Sequence, residues 1–467
     1  MNDIDAAVPY AELSIKRWLA LAVILAGTFM VTLDFFIVNV AIPSMQNDLH
    51  AGTAAIEWIV AGYGLAYAAL LITGGRLGDL YGRRAIFNYG LAIFSLASAA
   101  CGVAPNAAIL VIARAMQGVG AALLAPQVLA IVGTLYTGAN RARAFAAYGA
   151  VLGLSSACGQ VIGGLLIRAD ALGLGWRACF LVNVPIGLAA WALTGVVVPD
   201  IQTRSRSSLD MRGAALVAAA IGAVLFALIE GREQNWPLWT WLCIVASAVL
   251  LARFVLHQRQ RTALCLAPLI DPALFDVRRF RIGLLAVLVL FGGVASFFFV
   301  LALYLQRGRG LGPLPSGLVF TALALPFTAT SLNAGRIGRW LGRPPLVPGA
   351  IGMAAGLVAL RLAIGWEGTG GPLLPMLGAL VIDGAGMGLV MAPLVAAVLA
   401  GLPARHAGAA AGVLATAQQL ANALGVAAVG VAFFGMLGGG YGGAFAVSLD
   451  WLVVLALGLA ALVWRLE

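Results

Sequence analysis

GGRLGDLYGRRAIF, Gly74 to Phe87, places four charges and four glycines in fourteen residues of a 467-residue chain that is only 10% charged. Apolar runs flank it on both sides. The chain is 62% hydrophobic with a mean hydropathy of +1.00, which leaves too little charge to cover a soluble domain of this length. Runs of about twenty apolar residues, long enough to cross a bilayer as helices, recur from end to end. They do not alternate every second residue, as the strands of a membrane barrel would. The composition therefore specifies an all-α polytopic membrane protein.

The polar breaks between the apolar runs give fourteen spans. They lie near residues 18–40, 56–76, 85–104, 108–134, 143–167, 178–198, 212–230 and 238–257, then 282–305, 316–337, 346–365, 373–398, 408–435 and 445–465. With the N-terminus in the cytoplasm, twenty-one of the twenty-eight lysine and arginine residues fall on the inner side. Six (Arg168, Arg177, Arg232, Arg307, Arg309 and Arg361) fall outside, and Arg114 lies within a span. The net charge of +10 thus sets orientation, and no nucleic-acid partner is expected. An even number of spans puts both termini inside. The first run follows Lys16-Arg17 without a short core and cleavage site, so it reads as a retained helix. Cys101, Cys158, Cys179, Cys243 and Cys265 show no CxxC spacing and read as reduced, structural residues.

The opening stretch has an echo 260 residues later. GRLGDLYGR (Gly75–Arg83) aligns without gaps on GRIGRWLGR (Gly335–Arg343), with three glycines and two arginines in common. Both copies follow the second span of a six-span half, on the inner side, if the seventh and eighth spans are an inserted pair. Two halves in the same orientation are the parallel repeats of an alternating-access carrier. The expected division is a first six-helix bundle over 1-200, an inserted pair with its flanking segment over 201-265, and a second six-helix bundle over 266-467.

At this point GRLGDLYGRR resembles the loop motif of the major facilitator superfamily. LDFFIVNVAIP (Leu33–Pro43), RAMQGVGAA (Arg114–Ala122), Trp176-Arg177 with FLVNVPIG (Phe180–Gly187), and PLIDPALF (Pro268–Phe275) followed by Arg278-Arg279-Phe280 resemble motifs of its fourteen-helix drug:proton antiporter branch. The resemblance implies a multidrug efflux antiporter in the cell membrane, a multi-pass protein of a bacterial plasma or inner membrane. It also implies that Gly75, Arg76, Gly78, Asp79, Gly82, Arg83 and Arg84 form a cytoplasmic latch. The glycines allow a tight turn between two helix ends. Asp79 is expected beside a helix N-terminus, where the dipole favours negative charge. Arg339 replaces Asp79 in the second copy, so the latch is expected to be asymmetric. GLSSACGQVIGG (Gly153–Gly164) resembles the antiporter helix-packing motif through Gly153, Gly159, Gly163 and Gly164, but Gln160 stands where the usual proline would be. A kink there is correspondingly less expected.

Ionisable residues inside a span are expensive and are functional candidates by default. Asp34 lies about 24 Å from the inner edge of the first span, and Arg114 about 10 Å below the outer edge of the fourth, at 1.5 Å per residue. A pair at similar depth can act as a proton switch, or as a permanent clamp between spans. Asp383, near mid-membrane in VIDGAGMGLVMAPL, is a third proton-coupling candidate that could instead hold a cationic substrate. The expected substrate cavity comprises Asp34, Phe35, Asn39, Tyr63, Tyr67, Gln117, Asp383 and Gln418. Phe36 and the Phe297–Phe299 run could add an aromatic wall, although three consecutive residues cannot all face one way. Gln127, Gln160, Asn183, Asn333, Gln419 and Asn422 are the other conspicuous polar residues, expected mostly to join helices. Glu57, beside Trp58, is expected at the outer interface in contact with water, and Glu230 is expected to be an interfacial acid away from the transport path. Asp450 is expected near the surface.

No GxxxxGK[ST] is present to cradle ATP. His50, His257 and His406 have neither cysteine nor histidine neighbours that would suggest a zinc site. No cofactor or metal is expected. The reading is a proton-coupled exporter of amphipathic or cationic small molecules, a monomer whose partners are substrate, protons and membrane lipids. A dedicated exporter of one metabolite, siderophore or lipid is the close alternative. An intramembrane transferase is remote, because the loops are short and poor in histidine.

Overall fold

The computed structural model describes residues 10–136, 138–199, 210–264, 266, 268–367, 369–400 and 404–466. No strand occurs among them. The first bundle comprises α1 (Tyr10–Asp48), α2 (Thr53–Tyr81), α3 (Arg83–Gly102), α4 (Ala107–Leu135), α5 (Gly138–Ala169), α6 (Ala178–Leu181) and α7 (Asn183–Val197). The inserted pair is α8 (Met211–Glu233) and α9 (Leu238–Ala263). The second bundle comprises α10 (Arg278–Leu303), α11 (Pro313–Val319), α12 (Thr321–Leu341), α13 (Leu346–Glu367), α14 (Leu374–Ala400), α15 (Ala404–Gly435) and α16 (Tyr441–Trp464).

Among the described residues, thirteen helical segments are long and apolar enough to cross a bilayer, and fourteen if the bent α5 is one span. Each of the fourteen expected spans has its helix. Two are interrupted for local reasons. Pro185 cannot donate to the carbonyl of Leu181, so α6 and α7 separate at Val182 although the backbone there stays helical. The other, α11–α12, breaks at Phe320. A further irregularity is the π-type turn Tyr304–Gly308 that ends α10.

Helix neighbours repeat across the two bundles. In the first, α2 and α3 pack on α4, α1 on α5, and α1 and α3 on α7. In the second, α12 and α13 pack on α14, α10 on α15, and α10 and α13 on α16. The bundles meet where α2 lies on α15 and α5 on α11, contacts that the repeat interchanges. The inserted α8 fills the groove beside one of these seams, touching both α2 and α15, while α9 packs mainly on α8. Arg204 and Arg206, Cys265, and the expected boundaries at 200/201 and 265 lie outside the described residues.

Candidate functional site

Asp34 of α1 and Arg114 of α4 form a buried ion pair, Arg114 Nη1 to Asp34 Oδ2 at 2.5 Å, with side chains 0% and 1% exposed. The rise per residue brings them to one depth, and the packing of α1 beside α4 turns them together. Around the carboxylate every polar neighbour donates. Gln117 Nε2 gives a hydrogen bond to Asp34 Oδ1 at 2.7 Å and Asn183 Nδ2 one at 3.2 Å. Arg114 is itself held by the Gln117 side-chain oxygen at 2.6 Å and the Ile59 carbonyl of α2 at 3.0 Å. Its guanidinium lies 4.3 Å from the Tyr63 ring centroid. Ser98 of α3 closes the network, accepting from Gln117 and Asn183 and donating to the Phe180 carbonyl at 2.9 Å. Residues of α2, α3, α4, α6 and α7 thus join one network around this carboxylate of α1, which α4 and α7 bond directly. Sequence reasoning missed Ser98, whose available signal was its spacing three residues before Cys101 on one helix face.

The other expected cavity residues divide. Tyr63 and Tyr67 stack edge-on at 5.9 Å beside this network. Asn39 turns away and donates to its own helix at the Phe35 carbonyl, 3.0 Å. Gln418 is half-buried on α15 and is not part of the network. Phe35 packs on Phe36, which reaches across the seam to Phe298, and Phe298 stacks on Phe320. Phe299 instead meets Phe434, so the run of three phenylalanines points several ways, as helical geometry requires. Asp383 is not brought to Asp34. It sits inside the second bundle, 2% exposed, on a cavity of about 20 Å³ whose other lining residues, from α10, α13, α14 and α16, are apolar or glycine. Its Oδ1 has no hydrogen-bond partner among the described residues.

A family model described as the Major Facilitator Superfamily matches residues 24–426. The chain belongs to that superfamily. Among its relatives is a protein named as a probable actinorhodin transporter of Streptomyces coelicolor, 37% identical over 92% of this chain and 74% of the relative. The puromycin resistance protein pur8 of Streptomyces alboniger is 36% identical over 88% and 81% of the two chains. The drug efflux pump JefA of Mycobacterium tuberculosis is 33% identical over 88% and 79%. A POT-family transporter crystallised with a thioalcohol-conjugated peptide shares the fold, with a TM-score of 0.69 at 16% identity over 96% of each chain. This superfamily member is a multi-pass transporter of a bacterial cell membrane.

In this transporter the motif glycines bring helices into contact, with one exception. A Cβ at Gly159 would lie 2.9 Å from Phe36 Cβ, at Gly163 2.8 Å from Ile37 Cγ1, and at Gly164 2.7 Å from the Leu314 Cα across the seam. At Gly153 the nearest atom would be 3.7 Å away, so that glycine is not a close contact. The segments Arg143–Ser156 and Cys158–Ala169 of α5 meet at 40° even without the proline. Ser155 and Ser156 bond back to the Val151 and Gly153 carbonyls there, a pattern that bends helices. Gln160, in the proline's place, is 1% exposed, and neither amide atom has a partner among the described residues.

The latch residues join α2, α3 and α4. Gly78 lets Gln127 approach so closely that a Cβ would lie 2.0 Å from its side-chain oxygen, and Gly82 adopts φ +96° to turn into α3. Asp79 does not cap a helix N-terminus. It lies in the last turn of α2 and accepts from Arg83 at 3.2 Å, because Arg83 stands four residues on and draws the carboxylate to itself. Arg83 also donates to the Ala130 carbonyl and Thr134 of α4, and Arg84 to the Val198 carbonyl. In the second copy Arg339 and Arg343 carry like charge, so the ion pair has no counterpart there.

Arg76 donates outside the first bundle, to the Pro268 carbonyl of the central segment. That segment is held by Gln258 of α9, whose side-chain oxygen accepts from the backbone of Leu269 and Ile270. Gln258 in turn donates to Asp210 at 2.8 Å, beside His257 at 2.8 Å. Burial pushes the Asp210 carboxyl up, but hydrogen bonds from His257, Gln258 and the Gly213 backbone, with the Arg261 charge, outweigh it and hold the group below its ordinary value. A depressed carboxyl stabilises the fold above its unfolded value and loses that contribution as pH falls through the folded one. Asp210→Asn is therefore expected to loosen the central segment by about 1 kcal/mol at neutral pH. Limited proteolysis near residues 264–270 should rise in the variant, and should rise in the unmodified protein only below about pH 4.

Proposed function

We propose that this transporter exports amphipathic or cationic small molecules in exchange for protons, by alternating access between two bundles spanning 1-200 and 266-467. One observation carries the coupling: Asp34 is fully buried and faced only by donors. As a carboxylate it is satisfied by Arg114, Gln117 and Asn183. A proton on Asp34 would meet only N–H groups in this arrangement, and its nearest acceptor would be the unbonded amide oxygen of Asn183, which has to be turned toward it. Protonation must therefore weaken the hold on Arg114 and turn an amide, repacking the junction of α1, α4 and α7. A two-state packing that one proton biases is what antiport requires. The relatives named for drug resistance or efflux support export of toxic compounds. A second reading, a dedicated exporter of one endogenous metabolite, is favoured by the relative named as a probable actinorhodin transporter. A siderophore or lipid as that single substrate is not favoured by any contact described above.

The test uses inside-out vesicles carrying a preformed pH gradient, challenged with lipophilic cations and neutral amphiphiles. Substrates are expected to dissipate the gradient with the unmodified protein, and Asp34→Asn is expected to abolish the response while leaving substrate binding measurable. An unchanged response in Asp34→Asn would overturn coupling through Asp34. A response confined to one compound would select the dedicated exporter.

A further inference from the structure

The last turn of α8 grips the first two turns of α2 with three charged side chains. Glu233 Oε1 accepts from the Thr53 hydroxyl at 2.5 Å and from the Ala54 backbone at 2.9 Å. Glu230 accepts from the Trp58 indole at 3.1 Å. Arg232 donates to Glu57 at 2.5 Å and to Thr53 at 3.0 Å. Glu57, expected in water, is instead 0% exposed. It is a buried carboxylate whose cation comes from the inserted helix.

The same guanidinium group reaches the second bundle. Arg232 Nη1 donates to the Gly430 carbonyl of α15 at 2.9 Å, and the group lies 4.6 Å from the Phe434 ring centroid. Gly430 has no room for a side chain, since a Cβ would lie 2.7 Å from Glu57 Cδ. One guanidinium thus ties the outer end of α2, in the first bundle, to the outer end of α15, in the second. Below it Leu225 and Ile229 of α8 share one buried apolar cluster with Ala423 and Ala427 of α15. If the outer ends separate, α8 stays with α2, to which three side chains bind it, and the Arg232–Gly430 contact breaks together with the outer links of α1 to the end of α10, Gln306 to the Val40 carbonyl and Arg307 to Gln46 and Asn47.

We propose that Glu57 and Arg232 are positioning residues that hold the outer face of the transporter shut, with the inserted helix α8 as the strap between the two bundles. Glu57 fixes the guanidinium, and Gly430 offers the carbonyl and the space that let it reach across. The strap rests on the alternating-access reading above and gives the inserted pair a role in that cycle. A merely structural ion pair would stabilise α2 and α8 without biasing one face against the other.

Hydrogen–deuterium exchange on the full chain in lipid nanodiscs separates these roles. In Arg232→Ala the backbone amides at the outer ends of α2 and α15 are expected to exchange roughly tenfold faster or more, as for a local opening. Those at the inner ends should become more protected, because opening one face closes the other. Arg232→Lys keeps the charge and is expected to restore part of the outer protection. Gly430→Ala removes no charge, yet it should open the same outer ends by pushing Glu57 and its guanidinium from α15. Exchange that stays unchanged at the outer ends, or rises evenly along α2 and α15, would overturn the strap. Faster outer exchange with unaltered inner ends would mark a local structural contact and overturn the strap, while the vesicle test of Asp34→Asn would still judge the transport reading by itself.

Discussion

Arg114→Ala is expected to cost about 3–5 kcal/mol of folding stability, the penalty for leaving one member of a buried ion pair without its partner. Three acceptors lose the guanidinium together: Asp34 Oδ2, the Gln117 side-chain oxygen, which keeps only the weak Cys101 thiol donor, and the Ile59 carbonyl. The Tyr63 ring also loses its cation. No water-filled surface lies beside Asp34 to absorb the charge, since both side chains are essentially inaccessible. Arg114→Lys should do only partly better, because a single ammonium cannot reproduce the fork that holds three acceptors at fixed angles. The informative comparison is Asp34→Leu combined with Arg114→Leu. Removing both charges should recover most of the unfolding temperature in detergent while abolishing substrate-driven proton movement. Equal unfolding temperatures for Arg114→Ala and the unmodified protein would show that the pair is not the clamp its geometry describes. Recovery of both stability and proton movement in the double variant would place coupling elsewhere.

The sequence displays its spans because a bilayer demands about twenty apolar residues each time it is crossed, and every expected span has a helix. The meeting of Asp34 with Arg114 was legible for a similar reason: depth follows from residue count, and two charges in apolar helices are cheapest together. Depth says nothing about which face of a helix a residue occupies, and here the reading stops. Asp383 sits at a suitable depth but inside its own bundle. Asn39 has the right depth and bonds its own backbone.

Long-range partners were hidden as well. Glu57 looked like an interfacial acid because its cation, Arg232, is 175 residues away on a helix outside the repeat. The bend in α5 was discounted for want of a proline, whereas two serines bonding back to their own helix accompany it. Asp79 satisfied a general preference for helix N-termini, yet a nearer arginine decided its geometry. In each case a local rule was sound and a specific neighbour outweighed it.

Asp383→Leu is expected to raise the stability of the second bundle by about 1–3 kcal/mol, the cost of a buried polar atom without a partner. Around the carboxyl are Val289, Leu290, Val294, Phe297, Met353, Leu357, Met387 and Leu452, an environment that suits a leucine of similar volume. The cavity of about 20 Å³ has room for about one water, and none for a drug-sized cation. A polar group kept at such a cost fits a functional site that trades stability for activity, and the small cavity favours a proton over substrate as what it holds. Export in the variant should then fall for neutral and cationic compounds alike. If only cationic compounds are lost, Asp383 holds substrate charge in a more open conformation. If export is unchanged while stability rises, Asp383 has no part in transport, and the coupling rests on Asp34 alone.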